Sequence, residues 1–390
     1  MKKIVALLLV LCLSLALFAC GGKDKTTPTP TPPTTPTADT GSELPPAPPS
    51  TDGTAGYATD DVDWNARDKY HFVYAYTAPS PLVDTMMNAW KVLGNVYNFD
   101  VAESTGNGDA EAYVQNLEVM ANQGNVDGFF MDCDPTIQNR VIELLEEFKL
   151  PFVCMFNPMY DSTGAAIAPA LALDQYQSGY DSLQWLIDNY KTYWKGDVDV
   201  STIGLLNLDW STSPPLHDRC VGATEAFKKA FPGNTNIFDA DGVTAGNINT
   251  EVGYNLTSQV ITAHTEIKYW FVDACVEDFA QGAARFFETL DTQDNILLTD
   301  VGSVMLALEW DSGYDGAWKA CYAISDYAYA GPAALGLIAM VDGRATAETL
   351  WPERRAAGDK ATIWIAESSI VTKDTYKEYL TGIDKKYGAQ

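Results

Sequence analysis

The sequence predicts an α/β protein of two doubly wound lobes, each a parallel sheet covered by helices on both faces. Three observations carry this expectation. Short apolar and β-branched runs alternate with helical stretches of about 10–15 residues, the pattern of βαβ units. The alternation runs along the chain twice. Finally, 390 residues, 46% of them hydrophobic, exceed one small domain and suffice for two cores.

The first series starts at residues 70–76, an aromatic and β-branched run expected of a buried strand. Pro81 opens a helix over 81–93, with Leu82, Met86, Ala89, Trp90 and Leu93 at helical spacing. A strand at 99–102 follows, then a helix at 110–121 carrying Tyr113, Leu117 and Met120. Residues 126–131 predict the third strand, 135–148 the third helix and 151–156 the fourth strand. The second series comprises helices at 175–190, 217–230, 250–263 and 279–290, with strands at 203–208, 236–238, 269–272 and 296–299. Beyond them, 328–340 predicts one more helix, while 361–365 and 370–373 read as extended. A cleft is expected between the lobes.

Twenty-five Lys and Arg against 52 Asp and Glu give a net charge of −27. That balance excludes nucleic acid and an anionic membrane surface as partners, since both are bound through dense positive charge. The three His (His71, His217, His264) are far apart, so no His-built metal site is expected, and no cofactor is implied.

Lys2 and Lys3, then an apolar run from Ile4 to about Phe18, predict a signal segment too short to span a bilayer. It closes on Leu17-Phe18-Ala19-Cys20-Gly21, which resembles the bacterial lipobox. The resemblance implies removal of residues 1–19, lipidation of Cys20 and a location on the extracytoplasmic face of the cell membrane. Residues 20–67 follow as a tether holding nine of the chain's 20 prolines between Pro28 and Pro49. Such a composition buries too little apolar surface to fold. At ~3.1 Å per residue, ~40 polyproline-like residues reach up to ~120 Å. Cys133, Cys154, Cys220, Cys275 and Cys321 remain, an odd set without C-x-x-C spacing, expected as small buried hydrophobes with one disulfide left open.

Ligands of open α/β sheets sit outside the carboxyl ends of the strands. The first lobe offers Thr77 to Pro81, then Asp132, Cys133 and Asp134, then Asn157 to Met159. The second offers Asp209 to Thr212, then Asp273, Cys275, Glu277 and Asp278, then Asp300. Carboxylates, amides and hydroxyls beside aromatic rings suit a neutral polyhydroxylated ligand.

With Ser80-Pro81 opening the first helix and Val126-Asp127-Gly128 leading into Asp132, the chain resembles the ribose-binding type of periplasmic solute-binding protein. Further matches are Pro151, Leu173-Asp174-Gln175, Asp218-Arg219-Cys220-Val221-Gly222, Val272-Asp273 through Ala283, Asp300-Val301-Gly302 and the late Ile370-Val371-Thr372-Lys373. The resemblance spans roughly Lys69 to Leu380. It implies the type I periplasmic-binding-protein fold, two lobes hinged by three crossings near 173–174, 326–328 and 343–351. The N-lobe would then comprise 68–173 and 328–348, and the C-lobe 174–327 and 349–390. It also implies a monomer that serves a membrane permease and a cytoplasmic ATPase of an ABC importer.

Carried over by position, ligand contacts fall on Ser80, Asp132, Arg219, Glu277, Asp300 and Tyr329, with Tyr76, Phe156, Asn157, Asp174 and Trp210 beside them. Structural alternatives stand next to several. Arg219 can pair with Asp218 or Glu225, Asp300 can cap the segment from Ser303, Asp132 can cap the third helix, and Trp210 can be core. The family's aromatics after the first-strand Pro are replaced by Leu82 and Val83, and its acidic–basic pair after the fourth strand by Phe156 and Asn157. The leading expectation is a lipid-anchored, non-enzymatic receptor delivering a sugar to an ABC permease. A sensor presenting its closed lobes to a chemoreceptor or histidine kinase, and a nucleoside-binding importer component, are the alternatives. No G-x-S-x-G, G-x-x-x-x-G-K or H-E-x-x-H occurs.

Overall fold

The computed structural model describes Ala55 and residues 62–134 and 136–388. The signal segment, Cys20 and most of the Thr/Pro tether lie outside the described residues. The first series forms β1 (Tyr70–Tyr76), α1 (Pro81–Tyr97), β2 (Phe99–Thr105), α2 (Ala110–Asn122), β3 (Gly128–Met131), α3 (Gln138–Phe148), β4 (Phe152–Met155) and β5 (Ala170–Ala172). The second forms α4 (Gln175–Tyr193), β6 (Ile203–Asp209), α5 (Pro214–Ala230), β7 (Ile237–Asp241), α6 (Thr250–Ala263), β8 (Tyr269–Ala274), α7 (Glu277–Phe287), β9 (Ile296–Asp300), α8 (Val304–Asp311) and β10 (Ala320–Ile324). The chain ends with α9 (Asp326–Val341), β11 (Ile363–Ile365), β12 (Ser368–Thr372) and α10 (Tyr376–Lys386).

The first sheet runs β2-β1-β3-β4-β5-β11 and every pairing is parallel. Alternate residues of its strands build two cores. Phe72, Tyr74, Phe130 and Met155 face α1 and α9, whereas Val73, Phe129, Met131 and Cys154 face α2 and α3. Trp90 of α1 stacks on Phe130 with ring centroids 3.8 Å apart. The second sheet runs β7-β6-β8-β9, also parallel, again with a core on each face. This is the doubly wound pattern in both lobes.

The chain leaves the first lobe after β5, returns with α9 and leaves again after β11. The expected third crossing at 343–351 is corrected by β11, which pairs with β5 in the first sheet. Residues 349–365 therefore belong to the N-lobe rather than to the C-lobe. The crossing lies at 366–367, between the Ala366 amide, bonded to Ala172 O, and β12, which pairs antiparallel with β10. The run at 361–365 reads as extended behind a charged stretch at 352–360, but nothing local says which sheet it joins.

Helix starts follow from capping. Ser80, Asp109, Asp174 and Asn249 each accept a backbone N–H of the first turn of their helix. Helix pairing in the second lobe rests on glycine. A Cβ at Gly222 of α5 would stand 2.0 Å from Tyr176 O of α4, and one at Gly179 would stand 1.9 Å from Arg219 O. Cys133, Cys154, Cys220, Cys275 and Cys321 are each free and buried. Among the described residues no helix is long and apolar enough to cross a membrane.

Candidate functional site

The carboxyl ends of both sheets and the first turns of α9 bring a set of polar and aromatic groups together. On the first lobe, Asp132 follows β3 and donates its backbone N–H to Ala75 O at 2.7 Å. Its Oδ1 accepts from Asn157 Nδ2 at 2.7 Å. Asn157 is aimed there by Phe156, a non-glycine residue at φ +66°. The Phe156 ring meets Tyr329 of α9 edge-on, centroids 4.9 Å apart. Asp132 does not cap α3; Asp134 takes the turn before that helix by accepting Thr136 N and Oγ1.

On the second lobe, Arg219 of α5 reaches over the ends of β8 and β9. Its Nε donates to Gln175 Oε1 at 2.8 Å, and its Nη1 to Cys275 O at 2.6 Å and Val301 O at 3.4 Å. The alternative pairing with Asp218 or Glu225 is not formed. Burial lowers the guanidinium's proton affinity, against the charges of nearby groups that include Asp300 and Asp273. Burial raises the Tyr329 hydroxyl of α9, and the Arg219 charge counteracts that shift.

Asp300 is fully buried at the end of β9. Its Oδ1 accepts from Trp318 Nε1 at 2.8 Å, while Oδ2 has no partner among the described residues. It is not a cap. The start of α8 is instead held by Glu277, whose Oε1 accepts from Met305 N at 2.7 Å. Three polar residues in register across β6, β8 and β9 (Asn207, Asp273 and Thr299) are also fully buried and carry atoms without partners.

Other expected site residues are engaged differently. Ser80 Oγ accepts from Val83 N at 3.3 Å and Asp174, an exposed residue, accepts from Gln177 N at 2.9 Å, so both serve as caps. Tyr76 donates its hydroxyl to Glu103 at 2.8 Å. Trp210 is half-buried with its ring 6.3 Å from that of Phe279. Ser80→Ala is accordingly expected to lower stability by about 1 kcal/mol, the usual cost of a lost cap, read from the urea midpoint. A much larger loss of ligand affinity than of stability would return Ser80 to the contact set.

Residues that sequence inspection missed are Tyr74, Gln175 and Asp326. Tyr74 is fully buried and its Oη has no partner among the described residues. Gln175 adjoins the expected Asp174, and Asp326 opens α9 one turn before Tyr329. A cavity of about 900 Å³ lies elsewhere, at the opposite ends of β3 and β4, lined by Val126, Leu145, Phe152, Met340, Glu348 and Lys360. It holds none of the converging groups.

The carboxyls of the site share a direction of shift. Burial pushes Asp132 and Asp326 up to about 6 and Glu277 up to about 7, and Asp300 and Asp273 well above the carboxylate range. A carboxyl raised in the folded state holds its proton more tightly there than when unfolded. Its contribution to stability is complete below the ordinary value of about 4 and is lost as pH rises through the folded value. His217, raised by its hydrogen bond to Asp209, acts the same way at its own higher range. Stability should therefore fall from pH 5 to pH 7.5, measured as the urea midpoint; a rise over that window would contradict these environments.

Comparison with known proteins agrees with this architecture. Residues 73–345 match a family model described as a periplasmic binding protein domain. An ABC transporter L-arabinose-binding periplasmic protein of Azospirillum brasilense is 28% identical over 208 residues, 52% of this chain and 59% of that protein. The chain thus spans less than two thirds of that relative's length. A periplasmic solute-binding protein of Actinobacillus succinogenes with bound D-allose superposes with a TM-score of 0.62 at 15% identity, covering 80% of this chain and 100% of that one. The binding protein of an arabinose ABC transporter from Shewanella sp. ANA-3 gives 0.60 at 16% identity, covering 82% and 96%. At these identities the likeness is one of fold.

Proposed function

Because this chain belongs to the periplasmic binding protein domain family, we propose that it captures a small polyhydroxylated solute, a sugar, between its two lobes and delivers it to an ABC permease. The observation that carries this is the meeting, at the carboxyl ends of two parallel sheets, of Arg219, Glu277 and Asp300 with Asp132, Asn157 and Tyr329. Arg219 presents its free Nη2 as donor, the carboxyls accept from hydroxyls or donate when protonated, and Phe156 and Tyr329 give apolar surface for a ring face. No covalent step is needed. Closure about the three crossings would enclose the solute and present both lobes to a permease.

Cys20 as a lipid anchor, with the Thr/Pro segment as spacer, places the receptor on the extracytoplasmic face of the membrane. This part of the proposal rests on the sequence. The test of the binding function is a thermal-shift screen of the purified protein against monosaccharides, disaccharides, nucleosides and amino acids. A sugar at 100 times its Kd should stabilise the native state by about 2.7 kcal/mol. Shifts with nucleosides alone would overturn the cargo, and no shift with any of them would overturn small-solute capture.

A further inference from the structure

We propose that Trp318 is a positioning residue of the solute site, holding Asp300 Oδ1 through its indole N–H so that Oδ2 is the oxygen offered to the solute. This rests on the reading of Asp300 as a solute contact and deepens it. What the end of β9 presents to a solute is then set by a side chain from the segment before β10.

Placement of the indole starts with the backbone. Leu298 N donates to Ala317 O at 2.9 Å and Lys319 N donates to Leu298 O at 3.0 Å, so Trp318 lies alongside β9 as a parallel bridge to Leu298. Trp318 N donates in turn to the Tyr314 hydroxyl at 3.1 Å. Leu298 and Asp300, two residues apart, share one face of the strand. The Trp318 ring packs in the core on that face with Leu298. Its Nε1 meets Asp300 Oδ1 at 2.8 Å, with both residues buried.

This bond is more than a buried indole in this fold requires. Trp90, Trp194 and Trp351 are buried with Nε1 atoms that have no hydrogen-bond partner among the described residues. Trp318 instead donates to a carboxyl at the end of a parallel strand, where ligands of such sheets bind. An indole N–H donates and cannot accept. Asp300 Oδ1 is therefore an acceptor whether the carboxyl is ionised or protonated, and a proton on Asp300 resides on Oδ2. That oxygen has no partner among the described residues. It accepts from a solute hydroxyl when ionised and donates to one when protonated. Turning the carboxyl to present Oδ1 would break the indole bond. Burial and the Glu277 charge raise the Asp300 carboxyl, and the indole bond acts against them.

The test is titration calorimetry of the wild type, Trp318→Phe, Asp300→Ala and the double variant with the sugar that gives the largest thermal shift. Phenylalanine keeps an aromatic ring and removes the N–H. Trp318→Phe should weaken binding ~10-fold, about the worth of one hydrogen bond out of line. In the Asp300→Ala background the same change should alter Kd by less than ~2-fold, because the indole has nothing left to hold. Trp194→Phe, which truncates an unpartnered buried indole of the same lobe, should lower the melting temperature and leave Kd unchanged. A measurement on the wild type needs no variant to fold: saturation with the sugar should move the indole N–H resonance of Trp318 and leave that of Trp194 in place. A wild-type Kd in Trp318→Phe, an equal loss in both backgrounds, or an unmoved Trp318 resonance would overturn the inference and leave the sugar receptor standing. Unchanged affinity in Asp300→Ala would remove Asp300 from the site and the inference with it. Failure of the wild type to bind any sugar would overturn both readings.

Discussion

Arg219→Ala should weaken sugar binding by about 100-fold. Arg219 is the only cation among the groups that converge from the two lobes, and its Nη2 has no protein partner among the described residues. A hydrogen bond from a charged donor contributes ~1.5–3 kcal/mol, so losing a fork contact accounts for about two decades in Kd. Arg219→Lys should recover little, because a lysine cannot hold Gln175, Cys275 O and the ligand from one planar group. Titration of both variants with the sugar that gives the largest thermal shift checks this. Unchanged affinity in Arg219→Ala would remove the residue from the site.

Gly222→Ala should destabilise the second lobe by about 1–3 kcal/mol and weaken binding in the same variant. The added Cβ would stand 2.0 Å from Tyr176 O, a backbone atom that cannot swing aside. Helices α4 and α5 must then part. α4 carries Gln175 and α5 carries Arg219, so the shift also pulls apart the Nε-to-Oε1 bond between them. α6 and α7 pack through the same device, Gly253 against Phe279 and Gly282 against Thr250 O. Urea denaturation measures the first effect and sugar titration the second. An unchanged midpoint would contradict the close helix approach.

What the sequence disclosed depended on what local chemistry signals. Strands β1, β6, β8 and β9 are apolar or β-branched runs between turns, and α1 and α2 show their buried stripe at helical spacing. β5 is only Ala170, Leu171 and Ala172, too short for any periodicity. β10 runs with one intervening residue into α9, so its five residues merge with a helix that is apolar nearly all round. The placement of β11 in the first sheet is a matter of tertiary pairing, to which the Ile-Trp-Ile run itself is indifferent.

The site was legible to the same degree. Asp132, Arg219, Glu277, Asp300 and Tyr329 follow from the rule that ligands sit beyond strand ends, joined to the family resemblance. Ser80 and Asp174, expected only as ligand contacts, are engaged instead by first-turn backbone donors of their own helices. The left-handed backbone of Phe156, which turns Asn157 onto Asp132, has no sequence signature, because such strain is borne by the surrounding packing. Tyr74 reads as one more core aromatic until its unpartnered hydroxyl is seen against Asp132 and Asp326.

Hydrogen–deuterium exchange with and without the sugar giving the largest thermal shift tests the central claim most directly, that one solute bridges both lobes at the strand ends. The account predicts added protection in two sets of segments at once: 131–134 and 155–158 of the first lobe, and 209–222, 274–278 and 300–303 of the second. Protection confined to one lobe, or centred on the cavity lined by Val126, Leu145 and Met340, would contradict it.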